Sequence, residues 1–228
     1  MKFELLDTYN IRARLSTSIL LLAPIAITLF FLFEEVRSFA TSSIILLVLL
    51  ALTNYVPIMQ RTFGKCKTPE TNYAAQLLHV DDPTFNAETK GRFYAKLVKL
   101  DTSFTCFENP DGSPAFKSAC ESAVEYLRNR TRDNHLVQEE NINYGFCRNL
   151  LASKTAGIII SALCMVLTVF FSWQKFRSLS MVPVQNFLAF VSDGLLFLSW
   201  IFLATKKAQE QAGLFYAKTL ISAIDSLS

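Results

Sequence analysis

The chain of 228 residues is 51% hydrophobic, with 20 phenylalanines, a mean hydropathy of +0.30 and a formal net charge of +3. That charge is too small to argue for nucleic-acid binding on its own, and the hydropathy suits a membrane protein. Five cysteines without a C-x-x-C spacing and two histidines speak against a metal site, and the cysteines read as small buried hydrophobes.

Lys2, Arg12 and Arg14 precede residues 15–33, which contain no Asp, Glu, Lys or Arg. Nor do residues 38–60 or 155–174, and residues 178–205 contain only Asp193. Each run approaches or exceeds the roughly 20 apolar residues that cross a bilayer core as a helix. None shows the polar face of a soluble helix. The first run is too long for a signal-peptide core and lacks a small-x-small cleavage site. Glu34-Glu35 leads it into the second run, so a helical hairpin is expected, with Pro24 and Pro57 kinking its arms. Arg37 is the one cation of this short connection; Lys175 and Arg177 lie in the other. Arg61, Lys65 and Lys67 follow the second span, Arg148 and Lys154 precede the third, and Lys206 and Lys207 follow the fourth. The positive-inside tendency puts both termini and the middle segment in the cytoplasm.

Residues 61–154 carry helical patterning. Within 88–100, Phe93, Leu97 and Leu100 share a face, with Tyr94 and Val98 beside it. A turn-forming stretch, Glu108-Asn109-Pro110-Asp111-Gly112, leads to Ser113-Pro114, a helix cap with proline in the first turn. Phe116, Ala119, Cys120, Ala123, Val124 and Leu127 then form an apolar stripe, which predicts an amphipathic helix over Pro114–Arg130. Residues 134–154 read as a further helix entering the third span. After Lys207, Leu214, Ala217, Ile221 and Ile224 form a short seam. It fits an interfacial helix or a helical bundle between subunits equally well.

Three features are candidates for function. Asp193 sits near the middle of the fourth run, where burying a carboxylate costs about 2.5–3.5 kcal/mol even on a lenient scale. No Lys, Arg or His lies in the other spans to neutralise it. It therefore faces water, as in an acidic ring of a symmetric oligomer, or stays protonated, bonded to Asn54 or to backbone. Arg128, Arg130 and Arg132, with Arg148 and Lys154 downstream, offer guanidinium and ammonium groups for phosphates of a lipid, nucleotide or single strand. Arg128 and Arg132 share a helix face and Arg130 points elsewhere. Asn141, Asn143, Tyr144 and Phe146 add amide donors and stacking faces. A solvated face paired with Asp133, Glu139 and Glu140 is the bland alternative. Gly145, costing about 1 kcal/mol in a helix, implies close packing or a local break, as in a hinge or gate collar. No P-loop, dinucleotide, nucleophile-elbow or zinc-protease motif is present, so no enzyme and no cofactor are expected.

Residues 61–157 resemble a widespread bacterial family of four-span membrane proteins. The resemblance rests on Arg61-Thr62-Phe63-Gly64-Lys65, on Leu127-Arg128-Asn129-Arg130-Thr131-Arg132-Asp133, and on Glu140-Asn141 through Gly157; Tyr9 to Leu15 also looks familial. Cys147 stands where Arg is common, and Ala152-Ser153 where Leu-Gly is common. The resemblance implies a place in anti-phage defence. A Hailong-type system pairs a membrane channel with an enzyme making DNA oligomers; a Kiwa-type system pairs a four-span protein with a DNA-binding partner.

The expected fold is all-α: a polytopic protein of the bacterial inner membrane with four transmembrane helices and a small cytoplasmic helical module between spans 2 and 3. Its parts are 1–60 (hairpin), 61–154 (module), 155–205 (second hairpin) and 206–228 (amphipathic tail). The expected function is a homo-oligomeric channel, taken as a tetramer, that depolarises the membrane when opened. A nucleotide or single-stranded DNA oligomer made by a partner nucleotidyltransferase would bind Arg128, Arg130, Arg132, Asn141, Tyr144, Arg148 and Lys154. Asp193, Asn54 and Gly145 would line or gate the path. The alternative is a Kiwa-like, non-conducting scaffold docking a soluble partner through 61–154.

Overall fold

The computed structural model describes residues 9–38, 43, 72–176 and 183–227. Every element among them is helical. In chain order these are α1 (Ser16–Leu32), α2 (Tyr73–Leu78), α3 (Ala87–Leu100), α4 (Pro114–Arg130), α5 (His135–Phe176), α6 (Val184–Phe202) and α7 (Lys206–Ser222), with short 3-10 segments between. Three stretches are long and apolar enough to cross a membrane: Arg12–Leu32, His135–Gln174 and Val184–Phe202. They overlap the first, third and fourth uncharged runs, the third run forming the second half of His135–Gln174. The second run, 38–60, with Asn54 and Pro57, falls almost wholly outside the described residues, as do Arg61, Lys65, Cys66 and Lys67. Contacts divide the chain into two units: Met1–Thr68 with Gly145–Ala208, and Pro69–Tyr144 with Gln209–Ser228.

In the membrane-type unit, α1 runs parallel to α5 and antiparallel to α6. Asn149 Nδ2 donates to the Ala13 carbonyl at 2.8 Å, and the Phe33 and Phe171 rings meet at 5.5 Å near the other end. Between α5 and α6, Lys154 Nζ donates to the Ile201 carbonyl at 3.0 Å and Asn186 Nδ2 to Ser172 Oγ at 2.9 Å. Arg37 closes α1 by donating to the carbonyls of Phe30 and Phe31, placing a cation at the negative end of the helix. Large apolar side chains point outward: Leu163 is 57% exposed and Val166 64%. The seam between the helices holds small and polar ones instead, including Ser18, Gly157, Ser161 and Thr168. That is how helices associate in lipid, where apolar burial gives no drive and close backbone approach does.

The second unit gathers its large apolar side chains inside. Phe93, Tyr94 and Leu97 of α3 pack with Phe116, Cys120, Val124 and Leu127 of α4, as their spacing predicts, and with Phe104 and Phe107 of the segment between. Ser113 Oγ accepts from the Phe116 amide at 3.1 Å, so the predicted cap is formed. Gly112 adopts a φ of 68°, a left-handed turn residue. Lys90 is buried and caps a turn, donating through Nζ to the carbonyls of His79, Val80 and Asp82.

The tail joins this same core. Tyr216, Ala217, Leu220, Ile221 and Ile224 are buried in it, and Arg92 grips Asp225 through two bonds of 3.1 and 2.7 Å. Leu214, expected in the apolar seam, is exposed; Gly213 takes the inner position against Tyr73 and Tyr144. The bare glycine admits the two rings, which turns the helix by one residue from the simple seam.

Candidate functional site

The seam of the membrane-type unit carries a single ionisable carboxylate among the described residues of its helices. Asp193 is 0% exposed. Thr28 Oγ1, from α1, donates to its Oδ2 at 2.7 Å, and Cys164 of α5 lies beside the same pair. One level of the seam thus draws a polar side chain from each of three helices. Asp193 Oδ1, Ser161 Oγ and Thr168 Oγ1 are buried without a hydrogen-bond partner. Each such atom in a low-dielectric interior is costly unless something meets it.

The inward face of α5 is a stripe: Asn149, Ser153, Gly157, Ser161, then Cys164, Thr168 and Ser172. The steps of four, four, four, three, four and four follow one side of an α-helix. Along α1 and the helical turn before it, the buried positions Ala13, Thr17, Leu21, Pro24 and Thr28 repeat the pattern. Trp200 interrupts the polar line. Its indole lies on Gly157, where any Cβ would run into the ring, and its Nε1 is buried without a partner. Thr28, Ser161, Thr168 and Trp200 are not among the candidates the sequence offers, and Cys164, expected to be a small buried hydrophobe, is buried within the seam. The stripe was the signal available for α5; Thr28 had none but its spacing from Thr17, Leu21 and Pro24.

Asp193 is turned into its own unit, toward Thr28, rather than toward a face where copies would gather their carboxylates in a ring. Asn54, the partner expected for it, lies outside the described residues. Gly145 does not break α5. It lies under Tyr9, and a Cβ there would come within 2.9 Å of the ring.

The basic cluster belongs mainly to the second unit. Arg128 and Arg132 line a groove of about 580 Å³ together with Asn72, Glu121, Glu125 and Asn129. Arg132 donates to Asn129 Oδ1 at 3.0 Å. Arg130 stands on another side, against the Tyr126 ring and hydroxyl. The two glutamates make the groove bipolar, suited to a ligand with anionic and donor groups. Tyr144 stacks on Tyr216 with rings 3° from parallel, which uses one of its faces inside the protein; Asn141 is half-buried nearby on α5. Arg148 and Lys154 belong to the membrane-type unit, where Lys154 caps α6. The structure therefore groups only Arg128 and Arg132 of the seven expected ligand residues in one groove.

Cys120 of the second unit is structural. Burial pushes the Cys120 thiol up to about 12, far from a reactive thiolate. Burial raises the Tyr94 phenol likewise to about 12, and its hydroxyl donates to the Leu78 carbonyl at 2.6 Å. No group of three or more His, Cys, Asp or Glu able to hold a metal is found among the described residues.

No family model, no curated protein and no solved structure matches the chain.

Proposed function

We propose that this chain is a channel of the bacterial inner membrane, with both termini cytoplasmic, whose ion path follows the polar seam between α1, α5 and α6. The observation that supports this reading is Asp193: a carboxylate wholly buried among apolar helices, held by one hydroxyl. A stability role is a poor reason to keep it, since a membrane-centre acid costs free energy that an apolar residue does not. Trp200 on Gly157 closes the seam in this conformation. The second unit is the regulatory module, and the Arg128–Arg132 groove is its ligand site for a nucleotide or short single strand. Such a ligand moves the gate only by binding open and closed states with different affinity. Assembly as a homo-oligomer and an effector role in anti-phage defence complete the proposal, carried by the resemblance of residues 61–157.

The test is membrane potential in bacteria expressing the chain, with its genomic neighbour and without. Depolarisation by the wild type, lost in Asp193→Asn and uncoupled from the neighbour in Arg128→Ala/Arg132→Ala, is the expected result. Unchanged potential in both backgrounds, with insertion verified, would overturn conduction and favour a scaffold that docks a partner through 61–154.

A further inference from the structure

The seam offers hydroxyl and carboxyl oxygens at regular intervals and little else. Ser161 Oγ, Asp193 Oδ1 and Thr168 Oγ1 are buried and unpartnered. Asp193 lies at the level of Cys164, between the two hydroxyls. At about 1.5 Å per residue, Ser161 and Thr168 stand about 5 and about 6 Å from that level along α5, and Ser172 about 6 Å beyond. Two hydrogen bonds of about 2.8 Å end to end cover such a step, which is the distance one water bridges. Ser172 in turn accepts from Asn186 at 2.9 Å.

Metal ions fit this line badly. Sodium or potassium needs several oxygens around it or an open, water-filled bore. Here the Ser161 and Thr168 levels supply one side-chain oxygen each and the Asp193 level three, one of them the Thr28 hydroxyl whose proton is spent on Oδ2, and the helices close on each other, with Trp200 on Gly157 and Met165 against Gly194. Hydroxyl and carboxyl groups both donate and accept hydrogen bonds, so a proton crosses where an ion does not.

We infer that the permeant of this seam is the proton, relayed through Ser161, Asp193 and Thr168 and interrupted at Trp200. The inference rests on the channel reading above and names what passes. In each cycle Asp193 Oδ1 takes the proton that a hydronium ion on one side hands on through the neighbouring hydroxyl, becoming a neutral carboxyl, and releases it through the hydroxyl beyond to water on the other side. Thr28 donates to Oδ2 throughout. One positive charge crosses per cycle, balanced by counter-ion movement. Cys164 is the titratable neighbour on α5, and α1 presents Thr28 there.

The experiment is proton uptake by vesicles of phosphatidylethanolamine and phosphatidylglycerol holding the full chain and a trapped pH dye, driven by a potassium–valinomycin potential. Sodium flux is measured in parallel, and Trp200→Ala is included so that closure does not hide the path. Expected is uptake in wild type or Trp200→Ala, reduced at least about tenfold by Asp193→Asn. Thr168→Val, which keeps size and branching, lowers it too, and Asp193→Glu retains it. Sodium flux matching proton flux, or proton uptake indifferent to Asp193→Asn and Thr168→Val, overturns the proton inference and leaves the channel reading standing. Failure of both proteins to pass either ion overturns both.

Discussion

The two units of this chain are built on opposite rules. In the second unit Phe116 is 2% exposed and sits among Tyr94 and Phe107, while the charges of α3 and α4 other than Lys90 lie away from the core. In the membrane-type unit Ser161 and Asp193 are fully buried, and Leu163 and Val166 point outward. Water drives apolar groups together, so a core formed in water gathers its large rings. Lipid rewards no such gathering, and helices meet where side chains are small or bond to each other. The same residue type therefore carries opposite meaning in the two halves.

The largest expected contrast comes from equal truncations in each. Phe116→Ala should destabilise the second unit by about 3–5 kcal/mol, through lost burial and the cavity left behind. Leu163→Ala should change the stability of the detergent-solubilised chain by less than about 1 kcal/mol. Denaturant titration of both variants, with helix content as the signal, checks the pair; equal losses would dissolve the contrast.

Glycine substitutions sharpen it further. Gly157→Val forces the Trp200 indole out of its seat and should cost about 1–3 kcal/mol. Gly91→Ala meets open space in α3 and should stabilise by about 0.4–1 kcal/mol. Opposite shifts in thermal midpoint are the expected outcome.

A smaller effect is confined to the second unit. Burial, then the nearby Lys117 ammonium, lowers the pKa of His79 below its ordinary value of 6.5. Its folded state favours the neutral ring, so its contribution to stability is full above the unfolded value. That contribution is lost as pH falls through the lower folded one. Unfolding of the wild type should ease as the pH falls below the ordinary histidine value of 6.5, and His79→Gln should flatten that part of the curve. An unchanged slope in the variant would remove His79 from the account.

Much of this was legible in the sequence. Ser113-Pro114 and the stripe from Phe116 to Leu127 define α4 to the residue, because cap chemistry and amphipathic spacing are local. Three of the uncharged runs are long apolar helices for the same reason. The seam was harder to see. In an all-apolar run the informative pattern is not hydrophobicity but the recurrence of small and hydroxylated residues, from Ser153 through Gly157, Ser161 and Thr168. Thr28 as the partner of Asp193 depends on the packing of two helices 165 residues apart in sequence, which no local pattern encodes. The Tyr144–Tyr216 stack hides a ring for a like reason: the tail folds back into a core assembled from distant segments.

The most direct measurement uses the only two tryptophans of the chain, which fall on opposite faces of the seam argument. Trp200 is 2% exposed, against Gly157, and Trp173 is 62% exposed on the outer face of α5. Fluorescence quenching by brominated lipid should be recorded for Trp173→Phe and Trp200→Phe, each leaving one reporter. The account predicts strong quenching when Trp173 remains and little when Trp200 remains. Equal quenching of the two, or stronger quenching of Trp200, would contradict an inward-facing polar seam.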